Sequence, residues 1–418
     1  MAPKRETITL TIEDMAHGGS GIGRHGRSTV FVPFTIPGER VEVRPMHTQG
    51  SMIFAEGERL LEASTDRVFP ACPAFGPRGC FRCHWQHIAY DAQLLLKQDV
   101  LAHQLERIGR LRDVAVRPVL PARQPWGYLY HASFTLGADG PLELPARGAG
   151  SIAIDECALL HPNLIALMEA LDLDFSTLRN AISRIVLQID GAGAPLVTLY
   201  MAQEEAPELE TELEASINLI LPDHEPVNLI GDSHARYDIG GRSFRVTAGA
   251  FIRPHIAQLG VLTKTAVDLL ELRGGEHVLD LYAGVGLFSA ALAPQAGLVT
   301  LVESYPPAVT DADDNLSDFD HVDIIEGGVA DVLQALDESY TAAVVDPPRA
   351  GLSRAIIARL SQLGVERIAY ISDDPVALAK ESRRLAQAGY RLQVVQPIDL
   401  APHCYFIDSV ALFLRAQP

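Results

Sequence analysis

Hydrophobic and polar positions change their period along the chain, and each change marks a different architecture. From Glu6 to about Asp66, short period-two segments (ITLTIEDM, HGGSGIGRHG, STVFVPF, IPGE, RVEVRPM) are broken by glycine and proline turns, the pattern of a small antiparallel β-barrel. Residues 90–112, YDAQLLLKQDVLAHQLERIGRLR, carry Leu94, Leu95, Val100, Leu101, Leu105 and Ile108 at helical spacing. Residues 113–245 mix strands such as HASFTLG and IVLQID with helical pieces such as HPNLIALMEALDL, which predicts a mixed α/β domain. Beyond Arg245, apolar runs alternate with helical segments. HVLDLYA, LVTLVES, VDIIEGG, TAAVVDP, RIAYISD, YRLQVVQPID and SVALFLR predict a seven-stranded doubly wound sheet, its last two strands an antiparallel hairpin. The predicted units are therefore 1–66, 67–245 and 246–418.

The third unit holds a turn suited to a nucleotide. In EHVLDLYAGVGLFS, Val278 and Leu279 read as a buried strand and Asp280 closes it. Gly284 and Gly286 then let backbone approach a ligand before a helix opens near Leu287. A GxG between strand and helix also serves plain packing, so the neighbouring strand ends matter. LVTLVE ends in Glu303, 19 residues after Gly284, where a carboxylate accepts hydrogen bonds from ribose hydroxyls. TAAVVDPPR ends in Asp346, Pro347, Pro348 and Arg349; the prolines cannot continue a ladder and make a rigid lip at the strand's carboxyl end.

Charge narrows the partners. Lys and Arg number 34 against 53 Asp and Glu, a net charge of −19, so contact with a polyanion must come from local basic patches. The most basic is the end of the 90–112 helix, with Lys97, Arg107, Arg110 and Arg112, which equally reads as a solvated face. Between Arg184 and Arg236 there is no Lys or Arg and there are ten acidic residues, a stretch expected to repel RNA. No apolar run reaches the roughly 18 residues of a membrane span, and MAPKRETITL lacks a signal peptide's apolar segment; a soluble, cytoplasmic chain is expected. Cys72, Cys80 and Cys83 crowd together as Cys-x7-Cys-x2-Cys, Cys157 follows in ECALLHP, and Cys404 stands apart. Such clustering argues for metal before disulfides, either tetrahedral zinc or an iron–sulfur cluster, and three close cysteines with one distant partner fit the cluster better. His84 and His87 read as structural neighbours of that block.

The motifs also carry a resemblance. HGGSGIGRHG with FVPFTIPGE resembles a TRAM domain, CPAFGPRGCFRCHWQHIAYDAQLLLKQ resembles an iron–sulfur module, and LDLYAGVGLFS with DPPRAGL resembles a methyltransferase domain. In that order the chain resembles the S-adenosylmethionine-dependent RNA (uracil-5) methyltransferases of the TRAM and iron–sulfur type. The resemblance implies a TRAM/OB-like barrel, a central domain with a 4Fe-4S cluster on Cys72, Cys80, Cys83 and Cys157, and a Rossmann-like catalytic domain against which helix 91–112 packs. It places S-adenosylmethionine on Asp280, Tyr282, Gly284 and Gly286, with Glu303 at the ribose, Asp346 and Arg349 at the catalytic lip, and Arg253 where the family carries Gln. Ribosomal or transfer RNA is the implied substrate of a monomeric protein with no membrane partner.

Members of that family add a cysteine thiolate to C6 of uracil, so that C5 attacks the methyl group and a base removes the C5 proton. Their Ser-Cys-Asn-Pro motif stands here as Ser372, Asp373, Asp374 and Pro375, and Asp408 occupies the position of the general base. GYLYHA and LELPAR replace more basic family segments. These departures predict either altered methyl-transfer chemistry or an inactive paralogue that binds S-adenosylmethionine or RNA as a regulatory module. Cys404, the cysteine left over beside the catalytic loop, is expected to be buried and inert rather than a relocated nucleophile.

Overall fold

The computed structural model describes residues 7–137, 142–147, 150–171, 181–204 and 211–416. Strands β1 (Ile8–Met15), β2 (Gly21–His25), β3 (Ser28–Val32), β4 (Arg40–Gln49) and β5 (Met52–Glu62) close a barrel in the order β1-β2-β3-β5-β4. Leu10, Ile12, Val30, Val32, Val41 and Val43 fill it. The expected antiparallel barrel needs one correction, because β3 runs parallel to β5 with Phe31 opposite Phe54. A ring of five strands cannot alternate direction all the way round, so one neighbouring pair must be parallel. The period-two segments also omitted β5, most of whose residues are exposed.

Helix α1 (Tyr90–Arg107) ends short of residue 112, where Gly109 follows and Arg110 turns left-handed at φ 58°. After β6 (Ala115–Val116), the middle of the chain builds β7 (His131–Leu136), β8 (Leu142–Pro145), β9 (Ser151–Ala153), α2 (Pro162–Ala170), β10 (Ile182–Ile189), β11 (Pro195–Met201), β12 (Ser216–Ile220) and β13 (Pro226–Ile230). Its strands form one sheet ordered β13-β12-β11-β10-β7-β8-β9. The end of the helical piece predicted to run through residue 173 lies outside the described residues.

A hairpin, β14 (His234–Ile239) and β15 (Arg242–Thr247), straddles the boundary expected at 246. It leads into α3 (Ile256–Leu270), β16 (His277–Leu281), α4 (Leu287–Leu292), β17 (Leu298–Glu303), α5 (Pro306–Leu316), β18 (Val322–Glu326), α6 (Val329–Ala335), β19 (Ala342–Val345), α7 (Arg354–Gln362), β20 (Arg367–Ser372), α8 (Pro375–Gln387), β21 (Tyr390–Ile398) and β22 (Asp408–Arg415). The hairpin is tied to α5, since Asp311 accepts from the Thr247 N–H and hydroxyl, each at 2.6 Å, so the chain enters this layer before residue 246.

The sheet runs β18-β17-β16-β19-β20-β22-β21-β6. All seven strands read from the apolar runs are present, and β21 and β22 pair antiparallel. The eighth strand, β6, is only two residues long, too short to show a period, and joins β21 in parallel through Val394 and Ala115. Val278, Leu279, Leu281 and the whole of β19 are buried, as expected for parallel strands covered on both faces. Val100, Leu101 and Leu105 of α1 share a core with Leu378, Ala379 and Leu385 of α8. Strand order reverses between β16 and β19, which opens a crevice at their carboxyl ends. No helix among the described residues is long and apolar enough to cross a membrane.

Candidate active site

The glycine turn stands in that crevice. Tyr282, a non-glycine residue, is held at φ 60°, and Gly284 and Gly286 take φ 55° and 81°. The two glycines have different reasons. A Cβ on Gly284 would meet nothing nearer than the Phe251 carbonyl oxygen at 3.9 Å, so the space above it is open. A Cβ on Gly286 would lie 2.8 Å from Leu316 Cδ1 on α5, so this glycine serves packing. Glu303 is fixed at the rim by backbone donors: Gly284 N–H at 2.9 Å to Oε2, with Ser304 and Tyr305 N–H at 2.6 and 2.8 Å to Oε1. Asp280 is fully buried; its Oδ2 accepts the Ser289 hydroxyl at 2.7 Å, while Oδ1 has no partner among the described residues. Burial pushes its pKa up to about 7.

Beside the turn, one guanidinium joins two carboxylates. Arg253 binds Asp346 through both terminal nitrogens, at 2.6 and 2.9 Å, and its Nε lies 3.4 Å from Asp408 Oδ1. Burial works against the arginine's charge, but the carboxylates outweigh it and hold the pKa above the ordinary range. Burial pushes Asp408 up to about 6, with Arg253 opposing the rise and the Asp373 charge adding to it. Asp373 leaves the end of β20 half-exposed, its Oδ2 3.7 Å from Arg349 Nη2. Asp374 caps α8 by accepting the Val376 and Ala377 N–H groups. His17 of the barrel reaches the same lip, 3.8 Å from Asp374.

Arg253, Tyr282, Gly284 and Asp346 therefore line one cleft, with Asp280 and Glu303 around its turn and Asp373, Asp408 and Arg349 beyond Arg253. Sequence reasoning overlooked Phe251, 70% exposed on the wall of that cleft, because exposure is a tertiary property that the sequence does not carry. It also grouped Lys97 with the basic helix end. Lys97 is buried, its Nζ 2.6 Å from Asp399 Oδ1, and Tyr90 donates to the other oxygen at 2.8 Å, so this trio ties α1 to the loop after β21.

Cys72, Cys80, Cys83 and Cys157 face one small cavity. Burial raises the thiol pKa values of Cys72, Cys80 and Cys157. Among the described residues, no group of three or more Cys, His, Asp or Glu side chains is arranged to hold a metal ion. Among the described residues, the buried ring of His84 has no hydrogen-bond partner, and burial lowers both His84 and His87 to about 3. Cys404 is buried on this side, its thiol donating to the Arg82 carbonyl at 3.0 Å, away from the glycine turn.

Residues 8–65 match the TRAM domain of tRNA (uracil(54)-C(5))-methyltransferase, and residues 232–415 match the tRNA (Uracil-5-)-methyltransferase family. The chain is 31% identical to an uncharacterized RNA methyltransferase of Halalkalibacterium halodurans, over 98% of this chain and 97% of the relative. It is 33% identical to another from Streptomyces coelicolor, over 97% and 92% respectively. Among solved structures, the Pyrococcus abyssi tRNA (uracil-54, C5)-methyltransferase in complex with S-adenosyl-L-homocysteine shares the fold. Its TM-score is 0.74 over 97% of this chain and 100% of that one, at 20% identity.

Proposed function

Because the chain belongs to the TRAM-domain RNA methyltransferases of the tRNA (uracil-5-)-methyltransferase family, we propose that it methylates RNA from S-adenosylmethionine in the crevice between β16 and β19. The observation that carries this reading is the pairing of open space over Gly284 with the unpartnered Oδ1 of Asp280. A buried carboxylate oxygen without a donor suits the ammonium of an amino-acid cofactor, and the fixed Glu303 carboxylate suits its ribose hydroxyls. Bound there, S-adenosylmethionine supplies an electrophilic methyl group. Asp346 and Arg253 close the far side, exclude water from the reacting base and hold Asp408 beside it.

The uracil-5 route needs a nucleophile that adds to C6. Asp373 offers a carboxylate, a far weaker conjugate nucleophile than a thiolate, and it already faces Arg349. Arg253 meanwhile occupies Asp408, the residue at the proton-acceptor position. Methyl transfer here therefore proceeds without the covalent thiolate adduct. Incubation of ribosomal and transfer RNA with methyl-tritiated cofactor is expected to place label in the RNA. The substitution at Asp373 favours one other reading, a paralogue that binds cofactor or RNA without methylating. Saturable cofactor binding with no label in either RNA would establish that alternative.

The four thiols on one cavity fit a 4Fe-4S cluster, in which each thiolate holds a different iron and the sulfurs need not meet at one point. Burial disfavours thiolates at Cys72, Cys80 and Cys157 unless a cationic centre compensates them. Protein purified without oxygen is expected to be brown, with about four irons per chain. Colourless protein with one zinc would overturn the assignment. We also place the protein in the cytoplasm, acting as a monomer on ribosomal or transfer RNA.

A further inference from the structure

We propose that the group methylated in this crevice is the exocyclic amine of an adenine or a cytosine, held by Asp346 as hydrogen-bond acceptor and by Arg253 as donor. The inference rests on the RNA-methyltransferase reading and adds to it the class of the reacting atom. Three distant segments build the site: Asp346 follows β19, Arg253 precedes α3 and Asp408 opens β22. Arg253 gives one N–H to each oxygen of Asp346, at 2.6 and 2.9 Å, and its Nε–H to Asp408 at 3.4 Å. Of a guanidinium's five N–H groups these bonds take three and leave two, and each Asp346 oxygen keeps a second lone pair. An ion pair that served packing alone would be sealed from the cleft. The Arg253 and Asp346 side chains instead stay 14% and 16% exposed, and both line the cleft that contains Gly284. An acceptor thus stands beside a donor, next to the turn assigned to the methyl donor.

An atom placed against an ionised carboxylate has to carry a proton, because the carboxylate is an acceptor only. The bare ring nitrogens of adenine and cytosine fail that condition, and their amines meet it. Beside the amine both bases carry an acceptor nitrogen on the Watson–Crick edge, which matches the free N–H groups of Arg253. Guanine offers the same pair only on the edge crowded by its ribose. Uracil fits through N3–H and O4, but its C5 becomes nucleophilic only after a thiolate adds to C6, and no cysteine is among the described residues that line the cleft. A ribose hydroxyl carries a proton but needs a strong base, whereas Asp346 and Asp408 are both held by Arg253. Amine transfer balances without an enzyme adduct. The nitrogen lone pair forms the bond to the methyl carbon, the carbon–sulfur bond breaks with its electrons left on sulfur, and the nitrogen releases one proton. Before that release the nitrogen's lone pair no longer joins the ring, so the group is a strong acid and an arginine-held carboxylate suffices as base. Asp346 accepts one N–H and draws electron density onto the attacking nitrogen. Asp408, pushed up to about 6 by burial, takes the released proton. The features that block the uracil-5 route therefore leave this one open.

Mass spectrometry of nucleosides tests this with full-length protein, cofactor carrying a deuterated methyl group, and ribosomal and transfer RNA from cells that lack the protein. Label is expected in N6-methyladenosine or N4-methylcytidine. A short RNA spanning the labelled position should lose all label when that nucleoside is replaced by its amine-free analogue, purine riboside or 2-pyrimidinone riboside. Asp346→Asn should lower the labelling rate about 100-fold, the scale of losing one preorganised hydrogen-bonding group, while calorimetry shows cofactor affinity changed far less. An unchanged rate in that variant would overturn the role of Asp346. Label in the amine-free RNA, in 5-methyluridine, in a ring-nitrogen or 2′-O-methyl nucleoside, or in 2-methylguanosine would overturn the inference and leave the methyltransferase reading intact. No label in any nucleoside would remove both.

Discussion

Gly284→Val is expected to abolish S-adenosylmethionine binding in calorimetry, weakening it at least about 100-fold, while the protein remains folded. Space above Gly284 is open on the protein side, so a new side chain there collides with the ligand rather than with the fold. At φ 55° a β-branched residue is strained, which costs on the order of 1–3 kcal/mol and lowers the urea midpoint without unfolding the chain. Gly286→Val should show the converse balance. Its Cβ lies 2.8 Å from Leu316 at φ 81°, so overpacking against α5 adds about 1–3 kcal/mol to the backbone strain, and stability falls more than for Gly284→Val. Equal losses of affinity and stability in the two variants, or unchanged binding by Gly284→Val, would show that the turn is structural only.

RNA containing 5-fluorouracil should form no covalent band with the wild-type protein and S-adenosylmethionine, and should form one with Asp373→Cys. Fluorine cannot leave as a proton does, so an adduct formed by a thiolate is trapped after methylation. Arg349 stands 3.7 Å from the Asp373 carboxylate, so a cysteine at that position would have a cation beside it. The band reports addition and methylation but not removal of the C5 proton. With ordinary uracil RNA, turnover by Asp373→Cys is expected to stay low while Arg253 holds Asp408 at 3.4 Å. The double variant Asp373→Cys/Arg253→Gln releases that carboxylate, and its turnover should exceed the single variant's by about 100-fold or more, the usual contribution of a general base. A band from wild-type protein, lost in Cys404→Ser, would mean that the buried fifth cysteine reaches the base after all. No band from Asp373→Cys would mean that one substitution does not account for the missing chemistry.

Much of the site was readable because its signals are local. Val278 to Gly286 form a strand and a turn within nine residues, and Glu303 and Asp346 end neighbouring strands, so period and punctuation marked all of them. Asp373 was visible for the same reason, at the end of an apolar run just before the Pro375 that opens a helix. The grouping of four cysteines in one cavity also followed from their spacing together with the resemblance.

What the linear pattern left open depends on side chains that meet from distant segments. Arg253 lies 93 residues from Asp346 and 155 from Asp408, and nothing in its own neighbourhood announces that it pairs with both. Lys97 sits in a helix with a basic end and reads as solvated, but Asp399 comes 302 residues later to bury it. The difference between Gly284 and Gly286 exists only once α5 has packed against one of them. Hydrophobic period and turn residues thus determined the strands, the sheet type and the edge that holds the site, because those depend on each residue's own chain neighbours. Tertiary structure alone decided which charges are paired, which glycine has open space above it and which aromatic rings align across the barrel, because each is a contact between strands or helices that the chain order does not bring together.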